Sequence, residues 1–316
     1  MFACLPGFDD HRLLTVGEGT IKQLFLTITL SAAMSVTAQA QQPDPGVMVM
    51  AHGGSAEWIE GVLSAVEPLR DDYNIEVAFG MANASSLQES AATLEARGAD
   101  EIAVVRLFVS GDSWYERTRQ ILGLVGGAPM RPAEPHHDEA DHGMGHSMAL
   151  WRIDTGASYA LSTEGLANAP EMTEVLTDRA RTLSEDPGNE DVLILAHGPA
   201  ENEENARWLA ALEKHADVIR ATLPFNEILV ETLREDWPET RKIAEQRIRE
   251  FVNSANTAGR NVIVIPFRVY GFGPYADVLE GLDYVADGQG LVPHPGVTEW
   301  IERQIELLLE GPFLRP

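Results

Sequence analysis

Residues Asp191 to Pro199 read Asp-Val-Leu-Ile-Leu-Ala-His-Gly-Pro. An apolar run this short, rich in branched residues, predicts a buried strand rather than a helix. It delivers His197 to the carboxyl edge of a sheet, where Gly198 permits a tight turn. The same phrase occurs earlier, from Gly46 to Gly54, as Gly-Val-Met-Val-Met-Ala-His-Gly-Gly. Two strands of matching length thus end in Ala-His-Gly, at His52 and His197. That repetition predicts a duplicated domain with an imidazole at the same corner of each copy.

Outward from these two anchors the chain alternates strand and helix. In the first copy the pattern predicts strands over 46–51, 75–79 and 102–109. A helix over 55–70 is capped by Ser55 and carries Trp58, Ile59, Val62, Leu63, Val66 and Leu69 at helical spacing. A second helix over 85–97 stops at Gly98, and a turn and helix follow over 111–124. A strand over 159–162 and a helix over 171–183 close the first half. The second half repeats the order: strands over 191–196, 227–233 and 262–267, with helices over 203–222, 238–256, from Tyr275, and over 297–309. The fold class expected is α/β, two duplicated doubly wound parallel-sheet domains facing a cleft. Their boundaries fall at 41–185 and 186–316, after a targeting segment over 1–40 and with a His-rich loop over 126–150 in the first domain.

The composition narrows the partners. A net charge of −26 over 316 residues argues against nucleic acid and anionic membrane surfaces. It suits solubility, and it also attracts cations. The single cysteine, Cys4, lies in the segment expected to be lost, which leaves no disulfide, thiolate nucleophile or cysteine metal site. Lys22, the apolar run from Leu24 to Val36 and Ala38-Gln39-Ala40 form an export signal with cleavage near Ala40. Asp9, Asp10 and Glu18 are unusual ahead of such a signal and point to a later true start. The expectation is a periplasmic protein with no stable membrane span; the competing reading is an uncleaved anchor.

In open α/β sheets, ligands bind beyond the carboxyl ends of the strands. His52 and His197 belong there, and so do the turns after the third strands. In those turns Ser110-Gly111-Asp112-Ser113-Trp114-Tyr115 stands opposite Tyr270-Gly271-Phe272-Gly273-Pro274-Tyr275. The helix that follows in the second copy offers Glu280, with Asp277 one turn earlier. An imidazole facing a carboxylate across a cleft ligates a divalent metal or passes protons. Separately, His136, His137, His142 and His146, with Asp138, Glu139 and Asp141, offer ligands suited to Ni²⁺, Co²⁺, Cu²⁺ or Zn²⁺. That tract reads either as an unselective metal-capturing loop or as a solvated linker.

These residues resemble the class II tetrapyrrole chelatases, the sirohydrochlorin cobaltochelatases and ferrochelatases. The similarity runs through His52-Gly53-Gly54, Ile75 to Phe79, and Leu94 to Val105, and extends over about residues 46–310. It implies a chelatase-like, flavodoxin- or Rossmann-like fold and an enzyme that inserts a divalent metal into a tetrapyrrole. Co²⁺ is the family default, with Ni²⁺, Fe²⁺ or Zn²⁺ as other ions. It further implies that His52 or His197 binds the incoming metal and helps remove pyrrole protons. The pattern also departs from the family. No second histidine stands in the turns at Ser113-Trp114 or Gly273-Pro274, and the acidic residue expected after the second strand falls on Met81 in one copy and near Arg234, beside Glu235, in the other. Val278-Leu279-Glu280-Gly281-Leu282 is similar to the protohaem ferrochelatase segment whose glutamate faces the catalytic histidine, which implies the pair His197 and Glu280. Trp114, Tyr115, Phe272 and Tyr275 are then expected to face the macrocycle or to pack in the core. The alternative function is a chelatase-derived exported protein that binds metal or tetrapyrrole without joining them.

Overall fold

Apolar alternation resolves into two parallel sheets in a computed structural model that describes residues 44–132 and 149–316. The first sheet holds β1 (Gly46–Ala51), β2 (Asn74–Phe79), β3 (Glu101–Leu107) and β4 (Ser158–Leu161) in the order β2-β1-β3-β4. The second holds β5 (Glu190–Ala196), β6 (Glu227–Thr232) and β7 (Asn261–Phe267) in the order β6-β5-β7. The shared order confirms the α/β fold of parallel sheets. Ala51 pairs in register with Phe79 and Leu107, as Ala196 does with Thr232 and Phe267. Both histidines therefore follow the last residue of a central strand. The first sheet's fourth strand has no full counterpart: among the described residues, Val285 makes only a single bridge to Ile263.

Eight helices among the described residues cover these sheets. They are α1 (Ala56–Val66), α2 (Ala84–Ala96), α3 (Tyr115–Ile121), α4 (Glu171–Leu183), α5 (Asn202–Thr222), α6 (Pro238–Thr257), α7 (Tyr275–Val278) and α8 (Pro295–Leu309). Ser55 caps α1, its side chain accepting from Trp58 N, and Asn83 caps α2 by accepting from Ser85 N. The strands bury both faces, and alternation sorts each face to a different core. Val47 and Val49 share one apolar interior with Val192 and Ile194, together with the inner faces of α1, α4, α5 and α8. Met48 and Met50 turn outward to Leu87, Ala91 and Leu94 of α2. Leu193 and Leu195 turn the other way, to Ile248 and Val252 of α6.

The inner helices are exchanged between the halves. α4 packs against α5 and β7, whereas α8 packs against α1, β3 and β4. Arg303 of α8 reinforces the exchange by donating to Glu171 on α4 and to Glu164, 2.6 Å away, in the loop before it. These contacts gather the described residues into one compact unit. At least four inner helices stand between the two strand layers, and the carboxyl ends of the central strands open onto a common cleft.

Candidate functional site

Each central strand ends by fixing an imidazole against its own backbone. The Nδ1–H of His52 donates to the Gly53 carbonyl at 2.8 Å, and that of His197 donates to the Gly198 carbonyl at 2.6 Å. A carbonyl oxygen only accepts, so the neutral ring carries its proton on Nδ1 and its lone pair on Nε2. The turn that allows this needs glycine, with φ +85° at Gly53 and +81° at Gly198. A Cβ on Gly198 would also stand 2.7 Å from the Thr232 Cβ.

At the second corner a carboxylate meets that lone pair. Asp236 Oδ2 lies 3.0 Å from His197 Nε2, and the buried Glu235 Oε2 lies 3.9 Å away. Two acceptors facing each other repel unless a proton or a metal cation sits between them. Arg234, left-handed at φ +59°, shapes the loop that brings the acids round. Its backbone N–H donates to the His197 carbonyl at 2.7 Å, and its guanidinium donates to the carbonyls of Pro199 and Ala200. Arg268 pairs with Glu235 and holds it, which leaves the exposed Asp236 as the carboxylate nearer the cleft. In the first copy, register puts Met81 where Arg234 stands, and Ala82 and Asn83 follow in place of the two acids.

The cleft has a volume of about 580 Å³ and is walled by Trp58, Trp114, Trp208, Trp237, Phe267 and Tyr270, with both histidines and Asp236 on its surface. His52 tilts against Trp58 with ring centroids 6.3 Å apart, and His197 meets Trp237 edge-on at 5.9 Å. Trp114 reaches the cleft from a left-handed conformation, φ +59°, which is costly for a bulky side chain. Buried Arg106 over-determines that turn. Its guanidinium donates to the Gly111 carbonyl at 2.8 Å and to the Ser113 carbonyl, and it lies 4.8 Å above the Tyr115 ring. Burial lowers its pKa to about 10, which still leaves it charged near neutral pH.

Of the residues expected to form the site, His52 and His197 are brought to one cleft. Glu280 is not. It lies exposed beyond α7, and its carbonyl accepts from Arg249 at 3.0 Å. The cause is α7 itself, a single turn whose Tyr275, Val278 and Leu279 pack into the outer core with α6. That anchoring leaves Asp236, which the sequence did not single out, as the partner of His197. Of the four aromatics weighed, Trp114 lines the cleft, whereas Tyr275 is fully buried and Phe272 stacks on Tyr284 in the outer core. His136, His137, His142 and His146 lie outside the described residues. No cluster of three or more His, Cys, Asp or Glu side chains able to cage an ion occurs among the described residues. His52, His197, Asp236 and Glu204 are the imidazole and carboxylate side chains that line the cleft.

No known family and no curated protein matches the sequence. Solved structures do match the fold. The sirohydrochlorin chelatase SirB of Bacillus subtilis subspecies spizizenii, in complex with cobalt, aligns with a TM-score of 0.56 and 10% identity, over 85% of this chain and 97% of that one. SirB from Bacillus subtilis with Fe³⁺ aligns equally well, at a TM-score of 0.56 and 11% identity, over 86% and 100% of the two chains. DR2241 of Deinococcus radiodurans, a multi-domain protein with structural similarity to chelatases, aligns with a TM-score of 0.51 and 19% identity over 84% of this chain. The match covers 54% of DR2241, so this chain spans about half of that protein. The fold is that of the chelatases.

Proposed function

We propose that this protein inserts a divalent metal into a tetrapyrrole, with His197 and Asp236 as the working pair. The observation that carries the reading is the 3.0 Å approach of a carboxylate to the imidazole nitrogen that bears the lone pair, at the edge of an aromatic cleft. Metallation strips water from a cation, takes two protons from pyrrole nitrogens and bends a flat ring. His197 Nε2 and Asp236 supply two metal donors, and water or the macrocycle completes the shell. So sparse a ligand set suits an ion that must leave again. Once the metal has moved on, the same imidazole and carboxylate are placed to accept protons. The wall from Trp58 to Tyr270 offers flat surfaces for a flat substrate. His52, on the same cleft, serves as the weaker counterpart. Cobalt is the first ion to try because a chelatase of this fold is known in complex with it.

The test is absorbance-monitored metallation of sirohydrochlorin by the purified protein with Co²⁺, and then with Fe²⁺, Ni²⁺ and Zn²⁺. The expected result is a rate above the spontaneous one, falling by roughly a hundredfold or more in His197→Ala, the usual scale for losing an acid–base group. A His197→Ala variant that metallates as fast as the parent overturns the assignment. One observation favours the alternative, a carrier that holds metal or macrocycle without joining them: the turns after the third strands present Ser113, Trp114, Gly273 and Pro274 and no imidazole. Tight binding of both ligands at only the spontaneous rate selects that reading. Export is proposed separately, and is checked by N-terminal sequencing of the periplasmic protein, which should begin near Gln41.

A further inference from the structure

The two acids that follow β6 are placed differently. Asp236 is exposed and its Oδ2 comes within 3.0 Å of His197 Nε2. The Glu235 side chain is only 10% exposed, and its Oε2 stops 3.9 Å from the same nitrogen. Two donors that each hold one ion at about 2.1 Å stand roughly 3.0–3.4 Å apart at right or tetrahedral angles. Asp236 thus lies at ligand distance for an ion on His197, and Glu235 lies just outside it.

Arg268 holds Glu235 back. Its guanidinium donates to the other carboxylate oxygen, Oε1. That cation has a built seat. It lies over the buried Tyr275 ring, 5.8 Å from the centroid. Gly273, left-handed at φ +67°, leaves the room it needs: a Cβ there would stand 2.9 Å from the Arg268 Cζ, Nε and Nη1. A largely buried ion pair loses hydration that its attraction barely offsets, so stability alone is a weak reason for it. The two halves supply a comparison. In the first copy Ala82 occupies the register position of Glu235, and Phe108 that of Arg268. The acid and its restraining cation occur together in one copy and are missing together from the other.

We propose that Arg268 is a positioning residue that keeps Glu235 off the metal, so that an ion on His197 and Asp236 has two protein donors and leaves readily. The statement rests on the proposed function for those two donors and for the need to release the ion. A third carboxylate would add a ligand and a charge, tighten the site and turn transfer into storage.

Calorimetry with Co²⁺ alone, paired with a stopped-flow chelator chase, tests this on the full-length protein. In Arg268→Gln, Co²⁺ should bind on the order of tenfold tighter than in the parent and leave correspondingly more slowly. In Arg268→Gln/Glu235→Gln both values should return to near the parent's. Unchanged or weaker binding in Arg268→Gln, or a gain that persists in the double variant, overturns the restraint. Crystals soaked with Co²⁺ and read by anomalous scattering give a second measurement, which the parent alone already decides in part. There the ion should sit on His197 and Asp236 with Glu235 still on Arg268, and in Arg268→Gln the Glu235 carboxylate should join it. A Glu235 oxygen on the ion in the parent, or away from it in the variant, overturns the proposal. A parent that behaves as expected yet metallates sirohydrochlorin only at the spontaneous rate leaves the restraint standing in a metal carrier, and the proposed function fails instead.

Discussion

The corners at His52 and His197 are built from one sequence phrase, yet Glu235 and Asp236 stand beside the second. Both imidazoles are locked by the following glycine's carbonyl, and both touch a tryptophan. They differ one loop away. After β2 the chain passes through Gly80, Met81 and Ala82, whereas after β6 it passes through Leu233, Arg234, Glu235 and Asp236. The doubled scaffold fixes where the histidine points, and the loop beside it decides what the histidine meets. A backbone repeat therefore does not imply a repeated site, and the proposed function takes the ion to the second corner and the macrocycle to the first.

The largest expected effect follows from that assignment. Replacing His197 or Asp236 by alanine should each cost roughly a hundredfold or more in metallation rate, whereas His52→Ala should cost about tenfold, since it removes a face contact and spares the ion. The double variant His197→Ala/Asp236→Ala should be little worse than either single one, because the two act as a unit. A His52→Ala loss exceeding that of His197→Ala breaks the comparison outright. A gain sharpens it: Met81→Glu puts an acid on the cleft wall in the first copy. Calorimetry with Co²⁺ should then show a second equivalent bound, where the parent binds one by this route. An unchanged stoichiometry means that the first corner lacks more than a carboxylate.

Much of this was legible in the sequence, and what was missed shares one physical cause. Strand ends, helix caps and both histidine corners follow from local periodicity and from glycine, which short-range sterics enforce. Glu280 is offered by its place on the helix after the third strand and by family likeness, and Asp236 is singled out by neither. The likeness implies that Glu280 faces His197, but α7 is a single turn pinned to the outer core by Tyr275, and Glu280 lies outside the cleft lining. The placement of Asp236 depends on Arg234 adopting φ +59° and clasping the Pro199 and Ala200 carbonyls. Such a tertiary clamp has no period to detect. The available signal was the pair Glu235-Asp236, three and four residues past the end of β6, at the register position where the first copy has Ala82-Asn83. The exchange of α4 and α8 between the halves was equally hidden, because an amphipathic helix declares that it has a buried face and not which sheet receives it.

The smallest expected effect concerns what supports the second corner. His215 on α5 is buried beneath Phe267, with ring planes nearly parallel and centroids 6.3 Å apart. Its Nε2–H donates to the Ala167 carbonyl at 3.0 Å, so Nδ1 accepts from the Thr173 hydroxyl at 2.7 Å. Desolvation by burial, opposed by the Ala167 bond, lowers its pKa below the usual value. Folding therefore favours the neutral ring. Well above about pH 6.5 both folded and unfolded chains hold it neutral, and it contributes no pH dependence. As the pH falls through that value the unfolded chain takes up a proton that the folded one refuses, so stability is lost on acidification. At the matching register position the first copy has Leu107 in place of Phe267, with no histidine packed in the same way among the described residues. The expected outcome is a melting temperature that falls between pH 7.5 and 5.5 in the parent and falls less steeply in His215→Gln, whatever the variant's own stability at neutral pH. Equal slopes in the two proteins show that the acid sensitivity lies elsewhere. The pH dependence would then no longer separate the second corner from the first.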